Sequence, residues 1–353
     1  MIDMAAKAVR VLVVDDSMFM REYISSALSG DPGIEIVGKA GDPFEARDKI
    51  LELKPDVMTL DINMPKMNGI EFLKKLMPQY PLPVVVISAV SSSVFDALDA
   101  GAVDFITKPE LKTERDKLQF ISEMTVKIKI ASIAKVGQYK HSPARSEVLR
   151  KSGVSDTKGI IAIGASTGGT EATLSILREL GSDLPGIVIV QHMPPVFTRL
   201  YAERLNNICA MEVKEAKDRD EVRPGTVLIA EGGLHMGVVR RGSGFVVECR
   251  EGEKISGHCP SVDYLFDSVA KLQGINRLGI IMTGMGSDGA KGLLAMRQSG
   301  ASTIGQDQKT CVVYGMPAVA NKIGAVEKEM PLGAIARGIY DWYGRCCRPE
   351  ENR

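Results

Sequence analysis

A serine stands alone between a predicted strand and a predicted helix. Ser166 lies in the small-residue run 164–169, directly after the apolar segment 159–163 and directly before a stretch with helical periodicity. Small residues let the backbone turn sharply, and the N–H groups at a helix start can bind a developing oxyanion. The position is typical of a nucleophilic serine, although a serine at such a junction also makes a good helix N-cap.

A nucleophilic serine needs a base and an acid that orients the base. His192 comes after the apolar run 186–190, and Asp288 comes after the apolar run 278–282. Because the carboxyl ends of parallel strands meet at one edge of a sheet, we expect Ser166, His192 and Asp288 to lie at a common rim. The order serine, histidine, aspartate differs from the serine, acid, histidine order of α/β-hydrolases, so residues 164–168 are not that fold's nucleophile elbow.

The chain has four histidines, and the other three are weaker candidates for the base. His141 lies in a polar stretch that is predicted to be a linker, where we expect a solvated side chain. His235 and His258 are predicted to lie in loops. Both remain second choices for the base.

A second set of polar residues ends the strands predicted in the first part of the chain. Short β-branched runs alternate there with amphipathic stretches, which predicts a doubly wound, five-stranded parallel sheet. The residues that end these strands are Asp15, Asp16, Asp61, Ser88 and Lys108. Three carboxylates suit Mg²⁺, and phosphorylation of one of them would bring phosphoryl oxygens to the hydroxyl and the ammonium group. Gly69 is predicted to relieve the turn beyond Asp61.

Length and composition indicate a globular protein of two or three domains. The chain has 353 residues, of which 44% are hydrophobic and 25% are charged, and its 44 Lys and Arg residues balance 44 Asp and Glu residues. This balance gives no field that would attract nucleic acid, and no apolar run is long enough to insert into a membrane. The cysteines show no CxxC pairing, which favours reduced thiols and a cytoplasmic location.

The pattern of strands and helices restarts after a polar stretch. It predicts an α/β protein with three parts: a doubly wound parallel domain at 9–125, an interdomain linker at 126–157, and an α/β parallel-sheet hydrolase domain at 158–347.

The first domain resembles the receiver domain of two-component response regulators. The motifs that carry this resemblance are Val14-Asp15-Asp16-Ser17, Leu60-Asp61-Ile62-Asn63-Met64-Pro65 and Thr107-Lys108-Pro109. The resemblance implies that Asp61 is the phosphoacceptor and that Asp15, Asp16 and Asp61 hold Mg²⁺. It also implies that Ser88 is the switch hydroxyl, that Lys108 contacts the phosphoryl group and that Phe105 is the aromatic switch residue.

The second domain resembles the catalytic domain of the chemotaxis protein-glutamate methylesterase family, CheB. The resemblance rests on the segments around Ser166, His192 and Asp288, and on residues 261–266 and 312–317. It implies that Ser166 is the nucleophile, that His192 is the general base and acid, and that Asp288 is the orienting carboxylate. Gly284 and Met285 are the candidates for oxyanion contacts, and no cofactor is expected in the hydrolase site.

The two resemblances together imply a phosphorylation-controlled hydrolase of glutamyl methyl esters on methyl-accepting chemoreceptors, with release of methanol. Some members of the family also deamidate receptor glutamines. The expected phosphodonor is a chemotaxis histidine kinase. Two alternatives remain open: a receiver-controlled binding module in which Ser166 only caps a helix, and a hydrolase that acts on something other than chemoreceptors.

Overall fold

The computed structural model describes residues 7–89, 92–109, 113–137 and 159–347, which belong to two units divided near residue 141. The elements of the first unit are β1 (Val9–Val14), α1 (Met18–Leu28), β2 (Ile34–Ala40), α2 (Pro43–Leu53), β3 (Val57–Asp61), α3 (Gly69–Leu76), β4 (Val84–Ser88), α4 (Ser93–Asp99), β5 (Asp104–Thr107) and α5 (Glu114–Ser132). Strands and helices therefore alternate as the sequence predicts.

The five strands of the first unit form one parallel sheet in the order β2-β1-β3-β4-β5. The side chains of β3 and β4 are buried along their whole length, as expected for strands that are covered by helices on both faces. The chain runs outward from β1 in both directions, so the carboxyl ends of β1 and β3 flank a topological switch point. The predicted doubly wound, five-stranded receiver sheet is confirmed.

The last helix of the first unit passes the predicted domain boundary at residue 125. A capping box between Thr113 and Asp116 begins α5, and the helix continues to Ser132 with Ile128 and Ala131 fully buried. Residues 126–132 of the predicted linker 126–157 are therefore packed helix. Residues 138–157, which include His141, lie outside the described residues.

The second unit is built around a larger sheet. Its elements are β6 (Gly159–Ala165), α6 (Gly169–Leu177), β7 (Gly186–Gln191), α7 (Phe197–Ile208), β8 (Glu212–Glu215), β9 (Thr226–Ile229), β10 (His235–Arg241), β11 (Gly244–Arg250), α8 (Val262–Ala270), β12 (Asn276–Ile281), α9 (Ala290–Gln298), β13 (Ser302–Gln306), α10 (Met316–Lys322), β14 (Lys328–Met330) and α11 (Leu332–Cys346).

Seven of these strands form a parallel sheet in the order β14-β13-β12-β6-β7-β9-β8, and β10 and β11 form a separate antiparallel hairpin. Strand β6 lies between β7 and β12, so the sheet has its own switch point at the carboxyl end of β6. Helix α8 packs against β6, α9 and β10. Val262 comes so close to β6 that a Cβ on Gly164 would lie 2.1 Å from Val262 Cγ1. No helix among the described residues is long and apolar enough to cross a membrane.

The structure gives a different reason for glycine at position 69 from the predicted relief of a turn. Its backbone is not in the left-handed region, but its Cα packs against the strand end, where an added Cβ would lie 2.3 Å from the carbonyl oxygen of Asp61. The N–H of Gly69 also donates to the carbonyl oxygen of Ile62 at 2.8 Å. The close approach, rather than a turn conformation, requires glycine at this position.

We expect Gly69→Ala to destabilise the first unit by about 1–3 kcal/mol, because the new methyl group must displace backbone atoms. The single tryptophan, Trp342, lies in the second unit. A urea transition that is seen by circular dichroism and not by tryptophan fluorescence therefore reports the first unit. Gly30→Ala is the control, because its Cβ would meet no atom closer than 3.4 Å. An equal midpoint for Gly69→Ala and the parent protein would contradict the close-packing argument.

Candidate active site and phosphorylation site

The carboxylate of Asp288 is buried and fully hydrogen-bonded. It accepts hydrogen bonds from Ser261 Oγ at 2.7 Å, from the N–H of Val262 at 2.8 Å and from the N–H of Asp263 at 3.0 Å. These donors form the N-terminus of α8, whose dipole favours a negative charge. Ser261 is also the N-cap of this helix and accepts from the N–H of Tyr264.

His192 completes the set of donors to Asp288. Its Nε2 lies 2.8 Å from Asp288 Oδ2, and both side chains are buried. Burial alone would raise the pKa of Asp288, but the hydrogen bond and charge of His192 and the two backbone N–H groups outweigh it, so the pKa is lowered. The ionised carboxylate can only accept, so Nε2 carries a proton, and in the neutral form of the imidazole Nδ1 carries the lone pair. His192 Nδ1 is buried and has no hydrogen-bond partner among the described residues.

Ser166 directly follows β6, the strand between those that lead to His192 and Asp288. Its N–H donates to the carbonyl oxygen of Thr283 at 3.0 Å, and its carbonyl oxygen accepts from Gln191 Nε2 at 2.9 Å. The sheet register pairs Ala165 with Gln191, so Ser166 and His192 are the next residues on adjacent strands. The structure thus brings the three predicted residues to one rim, at the switch point beside β6.

The two oxyanion candidates differ. The N–H of Gly284 donates to the carbonyl oxygen of Val313 at 3.0 Å, so this amide already has an acceptor, and the role of Gly284 in binding an oxyanion stays a prediction. What Gly284 provides is space, because an added Cβ would lie 2.6 Å from Ser166 Cβ. The N–H of Met285, in contrast, has no acceptor in the part of the chain that the structure describes. Its role as a donor stays a prediction.

His235 and His258, the second choices for the base, lie in different parts of the second unit. His235 is not in a loop but begins β10, where it is 2% exposed and its Nε2 contacts the carbonyl oxygen of Glu253. His258 lies in a tight turn, and its ring stacks on the ring of His192 with 3.6 Å between the centroids. Neither has a hydrogen bond to Ser166 or Asp288 within the described residues.

The first unit brings its predicted acidic residues together. Carboxylate oxygens of Asp15, Asp16 and Asp61 lie within 4.8 Å of one another at the ends of β1 and β3. Lys108 Nζ lies 2.6 Å from Asp61 Oδ2 and 3.0 Å from Asp15 Oδ2. Three hard oxygen donors that converge in this way fit Mg²⁺, which takes few protein ligands and keeps several waters.

Burial and the ion pair of Asp61 and Lys108 shift the pKa values in this cluster in opposite directions. Burial is the main reason why the pKa of Asp61 is raised, and it exceeds the opposing effect of Lys108. Burial would lower the pKa of Lys108, but the hydrogen bonds and charges of Asp61 and Asp15 outweigh it, and the pKa is raised. Ser88, the last residue of β4, has a buried hydroxyl without a hydrogen-bond partner among the described residues. That oxygen is available to an incoming group.

Phe105, the predicted switch residue, lies in β5 with only 4% of its surface exposed. Lys127 Nζ lies 5.0 Å from the centre of its ring and also bonds the carbonyl oxygen of Phe105. The same ammonium group pairs with Asp104 at 3.1 Å and with Glu123 at 3.0 Å. The role of Phe105 as a switch stays a prediction.

Three residues of the active-site framework were not assigned a role from the sequence. Ser261 binds Asp288, Gln191 binds the backbone of Ser166, and Thr283 Oγ1 donates to the carbonyl oxygen of Thr167 at 3.0 Å. Only Ser261 had a local signal, because it directly precedes an apolar helical run as an N-cap does. The other two act through partners that are distant in sequence.

Comparison with known proteins agrees with both units. Residues 161–339 match the family model "CheB methylesterase", and residues 11–118 match "Response regulator receiver domain". A Syntrophomonas wolfei protein named "Protein-glutamate methylesterase/protein-glutamine glutaminase 2" is 56% identical over 96% of this chain and 98% of its own length. A Syntrophotalea carbinolica relative with the same name but no number is 51% identical over 95% of this chain and 98% of its own length.

A solved structure shows the same similarity. The crystal structure of the Thermotoga maritima CheB methylesterase catalytic domain has 36% sequence identity and a TM-score of 0.51, and the match covers 52% of this chain and 98% of that one. The fold and these matches define a response-regulator receiver domain joined to an α/β catalytic domain. The chain belongs to the CheB methylesterase family.

The ion pair between Lys108 and Asp61 leads to a prediction about metal binding. We expect Lys108→Ala to bind Mg²⁺ roughly tenfold more tightly than the parent protein, because the three carboxylates lose the cation that neutralises them. Isothermal titration calorimetry with MgCl₂ measures the affinity. Lys75→Ala, which removes an exposed partner of Glu71 on α3, is the control and should change nothing. Unchanged or weaker binding by Lys108→Ala would show that the ammonium group does not compete with the metal.

Proposed function

We propose that the protein is a phosphorylation-controlled protein-glutamate methylesterase that also deamidates glutamine side chains. The observation that carries the proposal is the buried contact of 2.8 Å between His192 Nε2 and Asp288 Oδ2, beside Ser166 on the neighbouring strand. The two relatives named above carry both activities in their names. Ester and amide hydrolysis share one acyl-enzyme chemistry, so one site supports both.

Acylation begins at Ser166. Because Asp288 holds the proton on Nε2, the lone pair of His192 Nδ1 accepts the proton of the serine hydroxyl as Oγ attacks the side-chain carbonyl carbon. The tetrahedral intermediate collapses when the C–O bond to the methoxy group breaks, and His192 returns the proton to give methanol. With a glutamine side chain the C–N bond breaks and ammonia leaves.

Deacylation repeats the steps with water. His192 Nδ1 takes a proton from water as the water oxygen attacks the acyl carbon, and the protonated His192 then returns a proton to Ser166 Oγ. Both substrates therefore yield the same glutamate. Met285 follows Gly284, which contacts Ser166, and its uncommitted N–H would donate to the developing oxyanion.

The first unit supplies the control. Asp61 would attack the phosphoryl group of a histidine kinase, with Mg²⁺ held by Asp15, Asp16 and Asp61 to offset charge repulsion. The hydroxyl of Ser88 and the ammonium group of Lys108 would then bind phosphoryl oxygens, and Lys108 would give up its contact with the Asp61 carboxylate. Phe105 is proposed to report this change.

The partners proposed for the chain follow from this chemistry. They are methyl-accepting chemoreceptors as substrate and a chemotaxis histidine kinase as phosphodonor. The cytoplasmic location and the absence of nucleic-acid binding remain predictions from the sequence. A non-catalytic binding module is disfavoured, because a helix cap at Ser166 would not need a buried histidine and carboxylate at the next strand ends.

We expect Ser166→Ala to reduce methanol release from methylated receptor membranes by about a thousandfold or more, since no nucleophile remains. Ammonia release from receptor glutamines should fall equally, because the two reactions share Ser166. Ser268→Ala is the control: its hydroxyl donates to the carbonyl oxygen of Leu265 and accepts from the N–H of Val238, where α8 packs against β10. Retention of either activity by Ser166→Ala would exclude the shared serine mechanism.

A second experiment concerns the phosphoacceptor. Asp61→Asn should keep the basal rate of methanol release but lose its stimulation by Mg²⁺ and a small phosphodonor such as acetyl phosphate, because an amide cannot form the acyl phosphate. Asp56→Asn, at the other end of β3, removes an exposed carboxylate and should still respond. A normal response by Asp61→Asn would place the phosphoacceptor elsewhere.

A further inference from the structure

The ring of His258 lies flat against the ring of His192. The centroids are 3.6 Å apart, and the planes differ by 7°. This is van der Waals contact over one whole face of the imidazole that bonds Asp288. The sequence interpretation treated His258 only as a second choice for the base.

The backbone holds His258 firmly in this place. The N–H of His258 donates to the carbonyl oxygen of Ile255 at 2.9 Å, and the N–H of Ile255 donates back to His258 at 3.0 Å. Between them Ser256 and Gly257 both have positive φ, as a type I′ turn requires. Ser256 Oγ donates to Asp263 Oδ2 at 3.2 Å, which fastens the turn to the first turn of α8. The helix end that binds Asp288 therefore also anchors His258.

We propose that His258 is a positioning residue for the hydrolase, whose flat neutral ring holds the His192 imidazole in the plane of the Asp288 carboxylate and keeps water off one face. This inference rests on the proposed function and adds a fourth side chain to it. Acid–base catalysis requires an imidazole nitrogen aimed within a narrow range of directions, and a stacked ring restricts rotation about the bonds that aim it.

The geometry argues against a proton relay through His258. The N–H bonds and lone pairs of an imidazole lie in the ring plane, so two nearly parallel rings cannot donate to each other across the stack. Within the described residues, the ring nitrogens of His258 form no hydrogen bond. Its contribution is therefore through packing and not through proton transfer.

The charge state of His258 supports the same role. Burial, followed by the neighbouring His192, lowers the pKa of His258 to about 4, and Lys254 adds to this effect while Asp288 opposes it. His258 is thus neutral near neutral pH. When His192 takes the serine proton, a neutral ring face lies against the imidazolium, and the repulsion that a second cation would exert is avoided.

The test compares a variant that keeps the flat ring with one that removes it. In the full-length protein, His258→Ala should lower kcat for methanol release about tenfold or more with KM changed less than about twofold, because His192 is misaligned in a site that still binds substrate. His258→Phe should recover at least half of the parent kcat. Glu251→Ala, an exposed truncation on the same loop, is the control. His258→Tyr provides a second flat ring if the phenylalanine variant does not fold.

The pattern of results separates the alternatives. Equal losses in folded His258→Ala, His258→Phe and His258→Tyr would overturn the inference and indicate a role for the ring nitrogens. Parent activity in His258→Ala would overturn it as well. The pH profile of kcat separates a positioning residue from a base: the acid limb should persist in the flat-ring variants, and its loss would make His258 the titrating base.

The proposed function is checked in the same assay. If the parent protein releases methanol and Ser166→Ala does not, the proposed function stands whatever the His258 variants do. If the parent protein releases none under these conditions, the proposed function fails, and the inference about His258 fails with it.

Discussion

The buried carboxylate of Asp288 is the constraint on which the active site depends. An ionised carboxyl group cannot stay out of water unless hydrogen bonds replace its hydration. Asp288 has four donors, from Ser261, Val262, Asp263 and His192. They connect the loop after β12, the N-terminus of α8 and the end of β7. Satisfying this one group fixes the position of α8, the tautomer of His192 and, through Ser256, the turn that carries His258.

The two units use the same topological solution for different chemistry. The first strand of each unit, β1 or β6, lies inside its sheet, and the strands that follow it in sequence are added on both of its sides. This creates a topological switch point at the carboxyl end of the first strand, where the polar residues lie. In the first unit Lys108 neutralises Asp61, an arrangement that an incoming cation and phosphoryl group can rearrange. In the second unit helix N–H groups and His192 stabilise the charge of Asp288 by hydrogen bonds, and losing any of these donors would leave a buried carboxylate oxygen without a partner.

Buried polar atoms that lack partners mark where substrate groups belong. Ser88 Oγ in the first unit and His192 Nδ1 in the second are buried, and neither has a partner among the described residues. A buried polar atom without a partner costs a folded protein free energy. In the proposed function the first would bind a phosphoryl oxygen, and the second would carry the lone pair that accepts the serine proton.

The sequence by itself determined the alternating strands and helices and the positions of Ser166, Asp61 and their partners at strand ends, because apolar runs and turn residues are local signals. It also carried the resemblances that the comparisons confirm. Only the tertiary structure decided that the N–H of Gly284 is committed to Val313, that His235 begins a strand and that His258 lies on His192. These facts depend on contacts between residues that are far apart in the sequence. No periodicity in the chain specifies such contacts, because they form only when the helices, strands and loops pack together.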